Sequence, residues 1–236
     1  MSSRHEEHIV GGGKIRSVIL GLNDGLISTF TLLVGVAAAT LTTLGSNSIV
    51  ILTGFAAMVS GAISMGLGEY ISSKSEYNYI KNELKKERAE IELFPNEEKE
   101  EVREIFENMG LEGDTLNACV EKITSNKQVW LDFLTKSELG LEEPENPIVG
   151  AILTFLSFVF GSFLTLFAYF FNLGTISLVL SSIISFSMLF IVGAWKTKIT
   201  GENKLRSGLE MIVIGIVAFI ASYSIGTLLE QLITTV

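Results

Sequence analysis

Two groups of side chains in this sequence could do chemistry, and both contain carboxylates. In a Glu-rich stretch, Glu83, Glu87 and Glu90 stand at i, i+4 and i+7, and Glu98 and Glu101 at i and i+3, with Glu97 and Glu104 close by. On helices these spacings put each set on one face, where like charges repel by about 0.2–0.5 kcal/mol per pair. A divalent cation would remove that repulsion, and two helices meeting across a tight turn would offer it four carboxylates, a donor set for hard or borderline metals. The simpler reading is a solvated helical surface, because Lys85, Lys86, Lys99 and Arg103 are near enough to pair with these residues. No His falls in the stretch, so a Glu-x-x-His di-iron site is not supported.

The second group lies in apolar sequence. Asp24 sits inside Ser17 to Leu44, a segment long enough to cross a bilayer. An ionisable residue at that depth is costly and marks a candidate cation or proton site. Met65 lies in Gly61-Ala62-Ile63-Ser64-Met65-Gly66-Leu67-Gly68, where small residues permit close helix packing. Its thioether is a soft donor that suits Fe(II) better than Mg or Ca, although packing is the commoner use of Met in such a segment. Glu69, at the end of this second apolar segment, is either a metal ligand at the mouth of a path or a headgroup contact.

These residues need a membrane scaffold, and the composition supplies one. Hydrophobic residues make up 48% of the 236-residue chain. The mean hydropathy is +0.46, too apolar for an ordinary soluble domain. Five segments pass the length test for a spanning helix, about 17–43, 46–72, 148–171, 175–196 and 208–230. The third and fourth come from one uncharged run, Ile148 to Trp195, broken at Phe171-Asn172-Leu173-Gly174-Thr175. The polar N-terminus, MSSRHEEHIVGGGKIR, does not read as a secretory signal.

Lys and Arg alternate with uncharged connections through all five spans. Arg4, Lys14 and Arg16 precede the first, the 73–147 block is Lys-rich, and Lys196, Lys198, Lys204 and Arg206 surround the 197–207 loop. The positive-inside rule then puts the N-terminus, the block and that loop in the cytoplasm and the C-terminus on the far side. The block from Ser73 to Pro147 has 19 acidic and 10 basic residues and carries the whole net charge of −9. It reads as helices: 73–93 continuing the second span without a break, 97–108 capped by Asn96 with Pro95 outside, 115–124 capped by Asp114, and 127–139. Val102, Ile105, Phe106, Val120, Ile123, Trp130, Phe133 and Leu134 form its expected core.

Several functions are disfavoured. The pI near 4.8 argues against nucleic acid as partner. The single cysteine, Cys119, allows no internal disulfide and no Cys-based metal site. No Walker loop, nucleophile elbow or HExxH is present. His5 and His8 sit on the N-terminal tail and are left unassigned.

From end to end the chain resembles the vacuolar iron transporter family. The resemblance rests on Gly21-Leu22-Asn23-Asp24-Gly25-Leu26, on Gly61-Ala62-Ile63-Ser64-Met65-Gly66 followed by Lys74-Ser75-Glu76, and on the Glu-rich hairpin. It extends to Trp130-Leu131-Asp132-Phe133, Glu138-Leu139-Gly140-Leu141-Glu142 and Leu205-Arg206-Ser207-Gly208. It implies an all-α homodimer of five-span subunits, with a cytoplasmic helical metal-binding domain inserted between spans 2 and 3. The family's membrane Asp and Met fall on Asp24 and Met65, and its cytoplasmic carboxylates on Glu87, Glu90, Glu98, Glu101 and Glu138. Plant members carry a Glu where this chain has Ala57 and a Met pair where it has Leu134 and Thr135. The cytoplasmic site would therefore be all-oxygen.

The expected layout is a cytoplasmic tail 1–16, spans 1–2 in 17–72, the acidic domain 73–147, spans 3–4 in 148–196, a cytoplasmic loop 197–207, and span 5 with a short tail in 208–236. The implied function is export of Fe2+, and also Mn2+, from the cytoplasm in exchange for protons, along a path at the dimer interface. A carboxylate in low dielectric can alternate between holding metal and holding a proton. Metal ions, protons and the lipid bilayer are then the partners, with no prosthetic group and no enzymatic activity. The alternative is a membrane-anchored iron buffer or ferroxidase, which leaves Asp24 without a role. A multi-pass protein of a prokaryotic cell membrane is the simpler location, ahead of a vacuolar membrane.

Overall fold

The structure, a computed structural model, describes residues 12–44, 47–140 and 145–234. His5 and His8, and Leu141 and Glu142 of the Glu138-Leu139-Gly140-Leu141-Glu142 stretch, lie outside them. All regular structure among the described residues is helical: α1 Gly12–Leu44, α2 Ser48–Leu93, α3 Pro95–Asn108, α4 Gly113–Thr124, α5 Lys127–Ser137, α6 Pro147–Phe167, α7 Thr175–Thr200 and α8 Lys204–Thr234. A short 3-10 helix, Ala168–Phe171, extends α6. Five helices are long and apolar enough to cross a membrane, and they coincide with the five expected spans. The third and fourth part where expected, because Asn172 and Gly174 take left-handed backbone (φ 50° and 59°) that ends one helix before the next begins.

The chain forms two compact units, one from residues up to 71 together with 147 onward, the other from residues 72–146. In the first, α1 packs against α6, α8 and α7, and α7 against α8. Phe30, Leu33, Val34, Val50, Leu166 and Tyr169 form its buried centre, and Phe30 meets the rings of Phe186 at 5.5 Å and Phe219 at 6.0 Å. Glycines set the α1–α6 crossing. A Cβ on Gly21 or Gly25 would strike the carbonyl of Thr154 or Phe158, and one on Gly161 would lie 2.6 Å from the carbonyl of Leu22. Small residues of this kind let helix backbones approach where lipid supplies no hydrophobic drive. α2 reaches α6 through side chains instead, with Gly61 against the ring of Phe158 and Gly66 against Phe155.

The second unit is a small helical bundle. Its core joins Val102, Val120, Trp130 and Leu134 with Ile91, Leu116 and Leu131, and packs Ile105, Phe106, Ile123 and Phe133 at its edge. α2 runs unbroken to Leu93, as the absence of Gly or Pro after Gly68 implies. Two helix starts differ from expectation. Pro95 is the first residue of α3, not outside it, because proline's fixed φ suits a position whose N–H needs no partner, and Phe94 stands at the cap. α4 begins at Gly113 with Glu112 at the cap, so Asp114 lies in the first turn. Asn126, unexpected as a cap, accepts from the N–H groups of Gln128 (2.9 Å) and Val129 (3.3 Å) and starts α5.

Candidate metal sites

In the second unit a tight reversal brings the acidic faces together. The N–H of Phe94 donates to Glu90 O at 2.8 Å, and those of Glu97 and Glu98 donate to Phe94 O, so α3 folds back along α2. Glu87 and Glu98 are thereby buried, at 5% and 6% exposure. Glu98 feels the charges of Glu101, Glu87, Glu90 and Glu138. Glu138, held at the end of α5 by its N–H bond to Leu134 O (2.9 Å), feels Glu101, Glu87 and Glu90. All five carboxylates therefore lie within electrostatic reach of one another.

Their environment favours protons. Burial first, then the neighbouring carboxylates, pushes Glu98 up to about 8 and Glu138 up to about 7. The same causes raise Glu87. Glu87 lies close enough to Glu98, and Glu138 to Glu101, to interact directly, and crowded carboxyls of this kind favour the state in which one keeps its proton. One oxygen of Glu87 and one of Glu98 remain buried without a hydrogen-bond partner. The ion pairs found among the described residues are peripheral: Lys86 with Glu83, Arg103 with Glu100, and Lys127 with Glu92. Glu83 is thus diverted from the face it shares with Glu87 and Glu90.

The cluster is gathered but not closed. Among the described residues no three His, Cys, Asp or Glu side chains converge on one metal position. An all-oxygen donor set with buried, unpartnered oxygens suits a hard or borderline divalent cation. Neither neighbour at the family's Met positions adds a donor. Leu134 is fully buried in the core, and the hydroxyl of Thr135 is turned back onto Leu131 O at 2.6 Å.

In the first unit, Asp24 is half-buried on α1, and its carboxylate has no hydrogen bond or ion pair among the described residues. Only its backbone carbonyl is engaged, accepting from Ser28 Oγ at 2.5 Å. Ala57, Gly61, Met65 and Glu69 are all half-buried and follow one another at i+4 along α2. Phe158 of α6 fixes the level of both helices, since Gly25 meets its backbone and Gly61 its ring. Asp24 and Met65 each lie within a turn of those glycines. Glu69 is tied: Ser17 Oγ donates to its Oε1 at 2.9 Å. Gly150 leaves room for that oxygen, where a Cβ would sit 3.1 Å away. Sequence spacing gave no sign of Ser17, because residues 52 positions apart reveal their partnership only in the fold.

The chain is similar to known proteins over nearly its whole length. The model of the VIT family matches residues 15–227. A "Vacuolar iron transporter 1" of Arabidopsis thaliana is 36% identical over 229 residues, covering 96% of this chain and 90% of that protein. One from Tulipa gesneriana is 34% identical over 234 residues, covering 98% and 93%. "Protein CCC1" of Saccharomyces cerevisiae is 34% identical over 216 residues, 86% of this chain and 65% of that protein. Relatives named for a vacuole lend no support to a prokaryotic cell membrane. With a match that spans nearly the whole chain and both acidic sites, the protein belongs to the VIT family.

Proposed function

We propose that this protein is a transporter, not an enzyme, which moves Fe2+, and also Mn2+, out of the cytoplasm in exchange for protons. The observation that carries the reading is Asp24, an unpartnered carboxylate half-buried on a membrane-length helix of a protein whose relatives are named iron transporters. Asp24 and Met65 from two subunits form the membrane site of a homodimer, and Glu69 stands at its cytoplasmic mouth. Glu87, Glu90, Glu98, Glu101 and Glu138 collect metal in a cytoplasmic domain inserted between the second and third spans. The N-terminus faces the cytoplasm and the C-terminus the opposite side. Neighbouring carboxylates favour bound protons when metal is absent and bound metal when it is present, which gives exchange a physical basis.

The test is flux in proteoliposomes. Purified native chain is expected to move Fe2+ or Mn2+ faster when a pH gradient opposes the metal gradient. Asp24→Asn is expected to abolish that flux while the protein keeps its oligomeric state. Undiminished flux in the variant would remove Asp24 from the mechanism.

A further inference from the structure

Inside the helical bundle of the first unit runs a seam of hydroxyls that the metal sites do not use. Ser162 and Thr165 of α6, Thr29 of α1, and Ser177, Ser181 and Ser185 of α7 are essentially unexposed. Ser162 Oγ donates to Gly25 O at 3.3 Å and accepts from Thr29 Oγ1 at 2.8 Å, so the seam starts at the turn of α1 next to Asp24. Thr165 Oγ1 donates to Ser162 O (2.8 Å), and Ser181 Oγ donates to Thr165 O (2.6 Å). Ser177, one turn from Ser181, accepts from Asn47 Nδ2 at 2.8 Å where α2 begins. The seam thus reaches from the level of Asp24 to the end of the bundle where α6 gives way to α7.

Packing alone would leave such a seam satisfied, because Ser and Thr in membrane helices bond to carbonyls of their own or a neighbouring helix. Here three of its polar atoms are left over. Ser185 Oγ and Asn47 Oδ1 are buried with no hydrogen-bond partner. The Tyr169 hydroxyl, in a fully buried ring, neighbours Ser181 without forming a hydrogen bond of proper geometry. An orphaned buried polar group costs about 1–3 kcal/mol, and buried water is the usual remedy. Several hydroxyls also spend their protons on carbonyls, so side chains alone do not make an unbroken relay. Water bound at the three orphaned atoms would supply their missing partners and give the seam groups that can pass a proton on.

We propose that this seam is hydrated and conducts protons inside each subunit's own bundle, between the level of Asp24 and the end where α6 gives way to α7, so that protons leave the metal path at Asp24. The proposal rests on the proton-exchange reading above. Each hydroxyl or water accepts a proton on one side and releases its own on the other, so the relay is chemically unchanged by each passage.

Two measurements test it. In the first, the native chain in detergent is exposed to brief X-ray hydroxyl-radical labelling, which modifies buried rings only where bound water lies beside them. Tyr169 is expected to be labelled despite its burial, while Phe30, equally buried in the apolar core, is not; an unlabelled Tyr169 means a dry seam and overturns the proposal. In the second, proteoliposomes with a trapped pH dye report metal-driven proton flux in the native chain and in Thr165→Val, Ser181→Ala and Tyr169→Phe. Proton flux is expected to fall about tenfold, the rate cost of about one lost hydrogen bond. Fe2+ flux coupled to those protons should fall by the same factor, while equilibrium Fe2+ binding to the three variants stays at the native level. Unchanged proton flux in all three variants overturns the proposal. Native protein that moves metal without protons overturns the exchange reading as well, whereas a loss confined to the variants separates the two.

Discussion

At the scale of single residues, the proposed binding of metal by the five gathered carboxylates would depend on pH with a definite sign. Glu98 and Glu138 titrate near 8 and 7, and Glu87 is raised too, chiefly by burial. Metal must displace the protons these groups hold, so affinity should rise as pH climbs from 6 to above 8, with protons released on binding. Calorimetry of Mn2+ binding in buffers of different ionisation enthalpy measures that release. The metal-free fold should behave oppositely. A carboxyl whose folded pKa exceeds its unfolded value binds more protons folded than unfolded, so it disfavours the folded state progressively as pH rises from its unfolded pKa to its folded one. For Glu98 that window runs from about 4.5 to about 8. Thermal unfolding of the second unit should therefore begin at lower temperature at pH 8 than at pH 6. Glu98→Gln should flatten that dependence while weakening metal binding about tenfold or more. An unchanged slope would show that Glu98 is already ionised.

At the scale of elements, the five apolar helices and the unbroken run of α2 were legible because length and charge exclusion decide them locally. The start of α3 was misread because a proline fits both just before a helix and at its first turn, and the reversal at Phe94 decides between them. Nor could spacing show which glycines lie at crossings. Gly161 and Gly68 look alike in sequence, yet a Cβ on Gly161 would meet backbone of Leu22 and Leu26 at 2.6 and 3.0 Å, while one on Gly68 meets nothing within 4 Å of its own subunit. Backbone cannot give way as a flexible side chain can. Gly161→Ala should cost about 1–3 kcal/mol, seen as a lower unfolding temperature in detergent. A variant as stable as native chain would mean that α1 and α6 can separate without loss. For the acidic site, spacing on each helix was enough to nominate Glu87, Glu90, Glu98 and Glu101. Their burial, and the diversion of Glu83 to Lys86 at 2.6 Å, depend on the reversal that sets one helix on the other.

At the scale of the whole molecule, α2 carries a feature that a single subunit leaves unused. Ala56, Ser60, Ser64 and Gly68 recur at i+4 and are all exposed, forming a narrow strip of small residues. Beside it, at one-residue offset, runs the half-buried line of Ala57, Gly61, Met65 and Glu69. Leu52, Phe55, Val59, Ile63 and Leu67 flank the strip and are exposed as well. Lipid would tolerate that apolar face, but it gives no reason for the small residues between. Close approach of a second copy does, since small-xxx-small strips allow helix backbones to pack tightly in a membrane. Such a contact would turn two copies of Met65 toward a common axis, and a single Met and a single Asp are too few donors to hold a metal ion in one subunit alone. If the strip is the contact, Ser64→Leu should shift the protein from dimer to monomer in single-molecule photobleaching of liposomes and abolish metal flux. The bundle should keep its native unfolding temperature, because Ser64 faces outward and packs on nothing in its own subunit's core. A dimer that survives the substitution would move the interface to another face, and with it the metal path that the paired Asp24 and Met65 are proposed to line.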